Sequence, residues 1–186
     1  MDLKQLDSKE IERVYNTHMK IDFPVEELKP LDIIQKLLEK QNYACYGLYE
    51  KNELQAYALL AIQKSYLLID YYAVCSEHRN KGIGSKFLKL IKEQFKDYEG
   101  IMVEVEKVEC APNETEKTIR SRRIDFYKRN GMRMTSISIL LFNVDFSIMC
   151  LCNDTVDDSS ICEGLKQIYK EIVSEKLYSK YVKITY

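Results

Sequence analysis

The stretch "HRNKGIG", residues 78–84, decides how this chain is read. Two glycines, Gly82 and Gly84, stand just after two cations, Arg79 and Lys81. Before them runs "YLLIDYYAV" (66–74), rich in β-branched and aromatic residues; after them runs "SKFLKLIKEQF" (85–95), whose apolar residues recur at helical spacing. The pattern is a strand, a glycine turn and a helix. Glycines allow successive backbone N–H groups to face a ligand with no Cβ in the way. The start of the helix adds unpaired N–H groups and the positive end of its dipole. With Arg79, Lys81 and the Ser85 hydroxyl on the same rim, the arrangement suits a phosphate. The spacing matches neither a Walker loop nor the dinucleotide fingerprint, and an ordinary tight connection uses the same glycines.

Composition narrows the classes. A chain of 186 residues with 46% hydrophobic and 31% charged residues is expected to be one folded domain, residues 1–186, and not a disordered segment. A net charge of −1 supplies no general basic field, so neither nucleic acid nor an anionic membrane is an expected partner. Apolar runs such as "YALLAI" and "ISILLF" are too short to span a bilayer, and "MDLKQLDSKEIERVYN" has no apolar core of a signal peptide. The expected location is therefore cytoplasmic. Six cysteines without a Cys-x-x-Cys pair, beside only two histidines, read as free thiols in a reducing compartment, with no metal site.

Asp7 and Glu10 have capping-box spacing, with a helix to about Lys20. "IDFPVEELKP" (21–30) reads as a loop and "LDIIQKLLEK" (31–40) as a helix. "YACYGLYE" (43–50) and "LQAYALLAIQ" (54–63) form a hairpin, and the almost wholly apolar 66–74 belongs at the centre of a sheet. Apolar positions 83, 87, 88, 91 and 95 define a helix, and "GIMVEVEKVE" (100–109) alternates as a strand. "CAPNETEK" (110–117) reads as a loop, and "TIRSRRIDFYKRNGM" (118–132) as a short helix that Gly131 terminates. Strands at "TSISILLF" (135–142) and "FSIMCLC" (146–152), a helix at about 160–177 and a strand in "KYVKITY" (180–186) follow. The order is β-α-α-β-β-β-α-β-α-β-β, then α-β.

Arg79-x-x-Gly82-x-Gly84, after a strand ending in Ala73 and Val74, resembles the acetyl-CoA signature of the GNAT superfamily of N-acetyltransferases. "RRIDFYKRNGM" (122–132) is similar to the Tyr-x-x-x-Gly-hydrophobic element of that family, with Tyr127, Gly131 and Met132 in the matching places. The order of elements agrees over nearly the whole chain. More narrowly, "FPVEELKP", Glu-Val-Glu at 104–106 and "RRIDFY" resemble an uncharacterised bacterial branch. Three positions depart from the common pattern: Arg120 stands where Asn is frequent, Arg123 where Ala is, and Met132 where Phe is.

The resemblance implies an α/β GNAT fold, with a mixed, mostly antiparallel central sheet flanked by helices and splayed between the strands at about 66–75 and 100–108. Residues 153–186 would be a helix–strand extension of that single domain. Acetyl-CoA would be the co-substrate. The backbone of Val74 and Cys75 would meet the pantetheine arm, and Arg79, Asn80, Lys81, Gly82, Ile83, Gly84 and Ser85 would hold the pyrophosphate. Arg120, Arg123 and Phe126 would lie on the cofactor side, and Tyr127 would be the general acid beside the sulfur. In a chain with 14 tyrosines, a packed aromatic is the alternative role for Tyr127.

Acetyl transfer from a thioester to an amine needs a neutral amine, though a free alkylamine has a pKa of about 10.4. It also needs a donor for the tetrahedral oxyanion, and a leaving thiolate of pKa about 8.5 that is protonated or steadied. Asp70, a charge inside an apolar strand, is one candidate base, since an isolated buried carboxylate must be paired or raised in pKa. Glu104 is another; with Glu106 it shares one strand face that would attract a cationic amine, or is simply solvated. Glu26 and Glu27, in a loop that overhangs the acceptor in the resembling proteins, could recognise the amine instead. Cys75 reads as a structural thiol before it reads as an acetyl carrier, and His18 and His78 have little claim as bases. The expected acceptor is a primary amine of a small molecule or peptide. Pairing of "KYVKITY" across a homodimer stays open, as do a non-catalytic acyl-CoA-binding domain and an interaction module without cofactor.

Overall fold

The computed structural model describes residues 1–25 and 27–186, so Glu26 lies outside the described residues. Its strands are β1 (Asp2–Gln5), β2 (Tyr43–Glu50), β3 (Glu53–Gln63), β4 (Tyr66–Val74), β5 (Gly100–Glu106), β6 (Arg133–Leu141), β7 (Val144–Cys152) and β8 (Val182–Thr185). The helices are α1 (Ser8–Val14), α2 (Lys20–Asp22, one turn), α3 (Leu31–Glu39), α4 (Ile83–Gln94), α5 (Glu114–Arg129), α6 (Asp158–Ile172) and α7 (Glu175–Tyr181). Together the strands make a mixed, mostly antiparallel sheet in the order β1-β2-β3-β4-β5-β7-β6-β8. The apolar run expected at the centre is β4, which has a strand on either side.

Contacts sort the chain into two units, Met1–Ala61 with Asp70–Gln94 and Ile62–Ile69 with Phe95–Tyr186. In the first, Asp7 and Glu10 close the expected capping box at the start of α1. A π-helical segment, Tyr15–Met19, carries the chain on into α2. β2 and β3 pair antiparallel across Lys51 and Asn52, both at positive φ, the geometry of a two-residue type I′ turn that suits the twist of a hairpin. Tyr43–Leu48 and Gln55–Ala61 are buried without interruption, so this hairpin is covered on both faces. On α4 the predicted stripe is the buried one, Ile83, Phe87, Leu88 and Ile91, each side chain stabilising the fold by about 1.5–3 kcal/mol.

In the second unit β5 pairs parallel with the start of β4, from Tyr66↔Gly100 to Ile69↔Val103, and antiparallel with β7 along its whole length. β6 lies between β7 and β8, antiparallel to both. α6 approaches closely because Gly164 lacks a side chain: a Cβ there would stand 2.6 Å from Cδ2 of Tyr66.

Three expectations change. The loop expected at 110–117 ends early, because Asn113 caps α5 through Glu116 N–H (2.9 Å) and Glu114 and Glu116 suit the positive end of its dipole. The helix expected at 160–177 is interrupted at Val173, which is extended (φ −119°, ψ 136°), and restarts as α7. Phe142 belongs to a turn and not to a strand: with Asn143 it has positive φ, joining β6 to β7 as Lys51 and Asn52 join β2 to β3.

Candidate active site

β4 ends at Val74, and Ser76–His78 makes one 3-10 turn before the glycine loop. Asn80 (φ 63°) and Gly82 (φ 76°) are both left-handed. A Cβ on Gly82 would meet nothing within 4 Å, so the glycine answers to its backbone and to an open space before it. Gly82 C=O accepts from Lys86 N–H (3.2 Å), the first helical bond of α4. Ile83, Gly84 and Ser85 therefore occupy the turn whose N–H groups a helix leaves without internal partners. Tyr72 fastens that turn from β4, donating to Gly84 C=O (2.5 Å) and stacking on Phe87.

The two cations of the loop also hold it in shape. Arg79 donates from Nε to Val74 C=O (3.0 Å) and from its guanidinium to Asp22 (2.6 Å). Asp22 is almost wholly buried and accepts a second bond from Tyr57 (2.7 Å). Lys81 Nζ donates to Glu77 C=O (2.8 Å). Cys75 N–H is bonded to Gln55 C=O (3.0 Å), and N–H directions alternate along a strand, so the N–H of Val74 faces the opposite edge of β4 from β3. The Cys75 thiol is buried, and that burial, helped by the charge of Glu77, pushes its pKa up to about 12. It is a protonated packing group at neutral pH.

The side chain of Asp70 is only 8% exposed, and both its oxygens are bonded. Both accept from Lys29 Nζ at 2.7 Å, and Tyr43 donates a further bond. Beside it, the Tyr71 hydroxyl donates to Glu27 C=O (2.7 Å) and accepts from Lys29 N–H (2.8 Å). Asp70 and Tyr71 thus tie the segment before α3 to β4. Lys29→Met would leave the carboxylate without its cation and with the Tyr43 donor, with an expected loss of about 2 kcal/mol, read as a lower midpoint in urea unfolding.

In the second unit Tyr127 is buried on α5; burial pushes its pKa up to about 12, and Arg123 opposes the rise. The helix ends three residues later in a Schellman motif. Met132 N–H bonds to Tyr127 C=O (3.0 Å), Gly131 N–H bonds to Lys128 C=O (3.0 Å), and Gly131 has φ 90°. Tyr127 and Met132 are the buried apolar residues at the two ends of that motif. Tyr-x-x-x-Gly-hydrophobic is in this respect a helix terminator that fixes where the tyrosine stands. Arg120 and Arg123 both bind Glu106, at 2.8 and 3.0 Å, and Arg120 also donates to Lys107 C=O (2.8 Å). Glu104 accepts from the Tyr169 hydroxyl, and Phe126 meets the Tyr127 ring edge-on.

The profile of the Acetyltransferase (GNAT) family matches residues 11–132, from α1 through the glycine loop to the end of the Schellman motif. The chain belongs to the GNAT acetyltransferase family. It is 28% identical over 158 residues to YjbC of Bacillus subtilis (strain 168), whose name places it among acetyltransferases without establishing the activity; the match covers 83% of this chain and 78% of that one. A GNAT-family structure from Bacteroides thetaiotaomicron superposes with a TM-score of 0.75 at 17% identity, covering 91% of this chain and 96% of the other. The ribosomal-protein-S18-alanine N-acetyltransferase of Escherichia coli gives 0.62 at 15% identity, over 84% and 96%. A Bacillus subtilis acetyltransferase solved in complex with CoA gives 0.55 at 15%, over 81% and 97%. At these identities the structures establish the GNAT fold.

Within this GNAT chain the loop residues named from sequence, Val74 to Ser85, form one continuous structure with Asp70 in the same unit. Tyr127, Phe126, Arg120, Arg123 and Glu104 belong to the other. Four partners had no local sequence signal: Asp22 for Arg79, Lys29 and Tyr43 for Asp70, and Tyr169 for Glu104. His78 Nε2 lies 3.5 Å from Glu53 and 3.9 Å from Glu77, and these three residues could offer ligand atoms within 4.8 Å of one another, two of them on exposed carboxylates. All six cysteines are free, and no helix among the described residues is long and apolar enough to cross a membrane.

Proposed function

We propose that this GNAT protein is an acetyl-CoA-dependent N-acetyltransferase that moves the acetyl group to a primary amine by direct attack in a ternary complex. The observation that carries the reading is the cradle: left-handed Asn80 and Gly82, open space before Gly82 and the first N–H groups of α4. That geometry fits a pyrophosphate, with Arg79 and Lys81 adding charge while shaping the loop. Val74 would offer its outward N–H to the thioester oxygen. Arg120, Arg123 and Phe126 would support the cofactor side.

Tyr127 would face the leaving sulfur. At about 12 its hydroxyl stays protonated at neutral pH. It is a weaker acid than a thiol of about 8.5, so its main contribution is a hydrogen bond to the developing thiolate, with solvent completing the protonation. Glu104 would take the proton that the amine releases. Asp70, saturated by Lys29 and Tyr43, would hold the segment that precedes α3 and could act as base only if that ion pair opened. Residues 1–186 would act as a single cytoplasmic domain on a small-molecule or peptide amine.

The test is a calorimetric titration with acetyl-CoA, CoA and ATP. Micromolar binding of the first two and none of ATP is the expected result; no binding of acetyl-CoA would mean that the loop is only a turn and would end the enzyme reading. Turnover would then be sought with spermidine, a lysine peptide and a peptide with N-terminal alanine. Acetyl-CoA binding without turnover of any amine would favour a non-catalytic acyl-CoA-binding domain.

A further inference from the structure

We propose that Tyr169, in the C-terminal extension, is a positioning residue for acetyl transfer: its hydroxyl holds the Glu104 carboxylate ready to receive the acceptor's proton. The inference rests on Glu104 being the base in the reading above. Tyr169 lies beyond the residues matched to the family, 11–132, so the match assigns it nothing.

The contact is built from both ends of α6. At its N-terminus Asp158 accepts from Arg133 (2.6 Å) and from the N–H and hydroxyl of Ser136 (2.7 and 2.8 Å), fixing the helix to β6. One turn and a half further on, Gly164 lets the helix come down on the Tyr66 ring. A Cβ on Gly100, the first residue of β5, would meet that same ring at 3.1 Å. Tyr66 is therefore flanked by two glycines, and the helix and the start of β5 are set against one spacer. Five residues past Gly164, the ring of Tyr169 is 2% exposed and its hydroxyl donates to Oε1 of Glu104, four residues into β5. Close packing in the interior leaves such a ring little freedom, so the donor direction is fixed by the fold.

Glu106, two residues past Glu104, is held by Arg120 and Arg123, and Lys107 lies 3.7 Å from Asp145. A donor to a carboxylate favours its ionised, proton-accepting form. In the step itself the amine nitrogen attacks the thioester carbonyl, the C–S bond breaks with its electron pair leaving on sulfur, and the N–H proton passes to Glu104.

Tyr169→Phe keeps the packed ring and removes only the donor. Two readouts follow: the midpoint of the Glu104 side-chain carboxyl in a carbon-13 NMR titration, assigned with Glu104→Gln, and the acid limb of the kcat/KM profile. The profile would be taken with whichever of spermidine, the lysine peptide and the alanine peptide is acetylated fastest. Both should move to higher pH by about one unit, with acetyl-CoA affinity unchanged. Loss of rate with neither midpoint nor limb displaced would show a merely structural tyrosine and overturn the proposal. Glu104→Gln at wild-type rate would overturn it too, by removing Glu104 as base. Absent acetyl-CoA binding, by contrast, would fail the enzyme reading itself and would show in calorimetry before any variant is made.

Discussion

Tyr127→Phe is expected to leave acetyl-CoA affinity unchanged and to lower kcat about 10²-fold or more. The variant is conservative where it matters for folding. The ring of Tyr127 is buried on α5, and phenylalanine fills the same volume. The Schellman motif after it uses the backbone C=O of residue 127, which the substitution keeps. Only the hydroxyl is lost, the group whose acidity burial has weakened to a pKa of about 12. A donor that acts only on charge developing at sulfur contributes to the transition state and not to ground-state binding, so kcat and kcat/KM should fall together. Calorimetry on the variant beside steady-state rates separates the two effects. An unchanged rate would return Tyr127 to the role of a packed aromatic.

The second large effect is expected at the loop. Gly82→Asp should abolish measurable CoA binding, a loss of about 10²-fold or more. With φ 76° the position is left-handed, a region that aspartate enters at a cost of about 1–2 kcal/mol, less readily than glycine but more readily than most residues. Its Cβ would touch nothing in the protein, so the fold should survive. The new carboxylate would then stand in the open space before residue 82, where the proposed function puts the phosphate. Gly82→Ala shares the backbone cost without the charge and should fall between the two. Micromolar CoA binding by Gly82→Asp would show that the space before Gly82 holds no phosphate.

The local geometry at both residues was legible in the sequence, because it is set by near neighbours in the chain. A strand, a left-handed glycine and a helix start within about ten residues turn the first N–H groups of the helix outward, the geometry that anion sites use. Tyr127, four residues before left-handed Gly131, is the buried end of a helix terminator. Strand and helix identities were readable on similar grounds, from apolar period and from capping residues such as Asp7. The misread boundaries at Glu114, Phe142 and Val173 are places where a single cap or turn outweighs the period of the residues around it.

What the charged groups do was decided by tertiary structure. Sequence alone determined that Asp70 is a charge in an apolar strand, that Glu104 and Glu106 alternate along one face, and that Arg79 precedes the glycines. It said nothing of the partners: Lys29 stands 41 residues from Asp70, Arg79 stands 57 from Asp22, and Tyr169 stands 65 from Glu104. A hydrogen bond or ion pair acts over a few ångströms, and pairing across such separations leaves no periodic trace in a single chain. The backbone pattern therefore announced a GNAT fold and the glycine loop before α4, while packing assigned Arg79 to Asp22, Glu106 to two arginines and Glu104 to a tyrosine far along the chain.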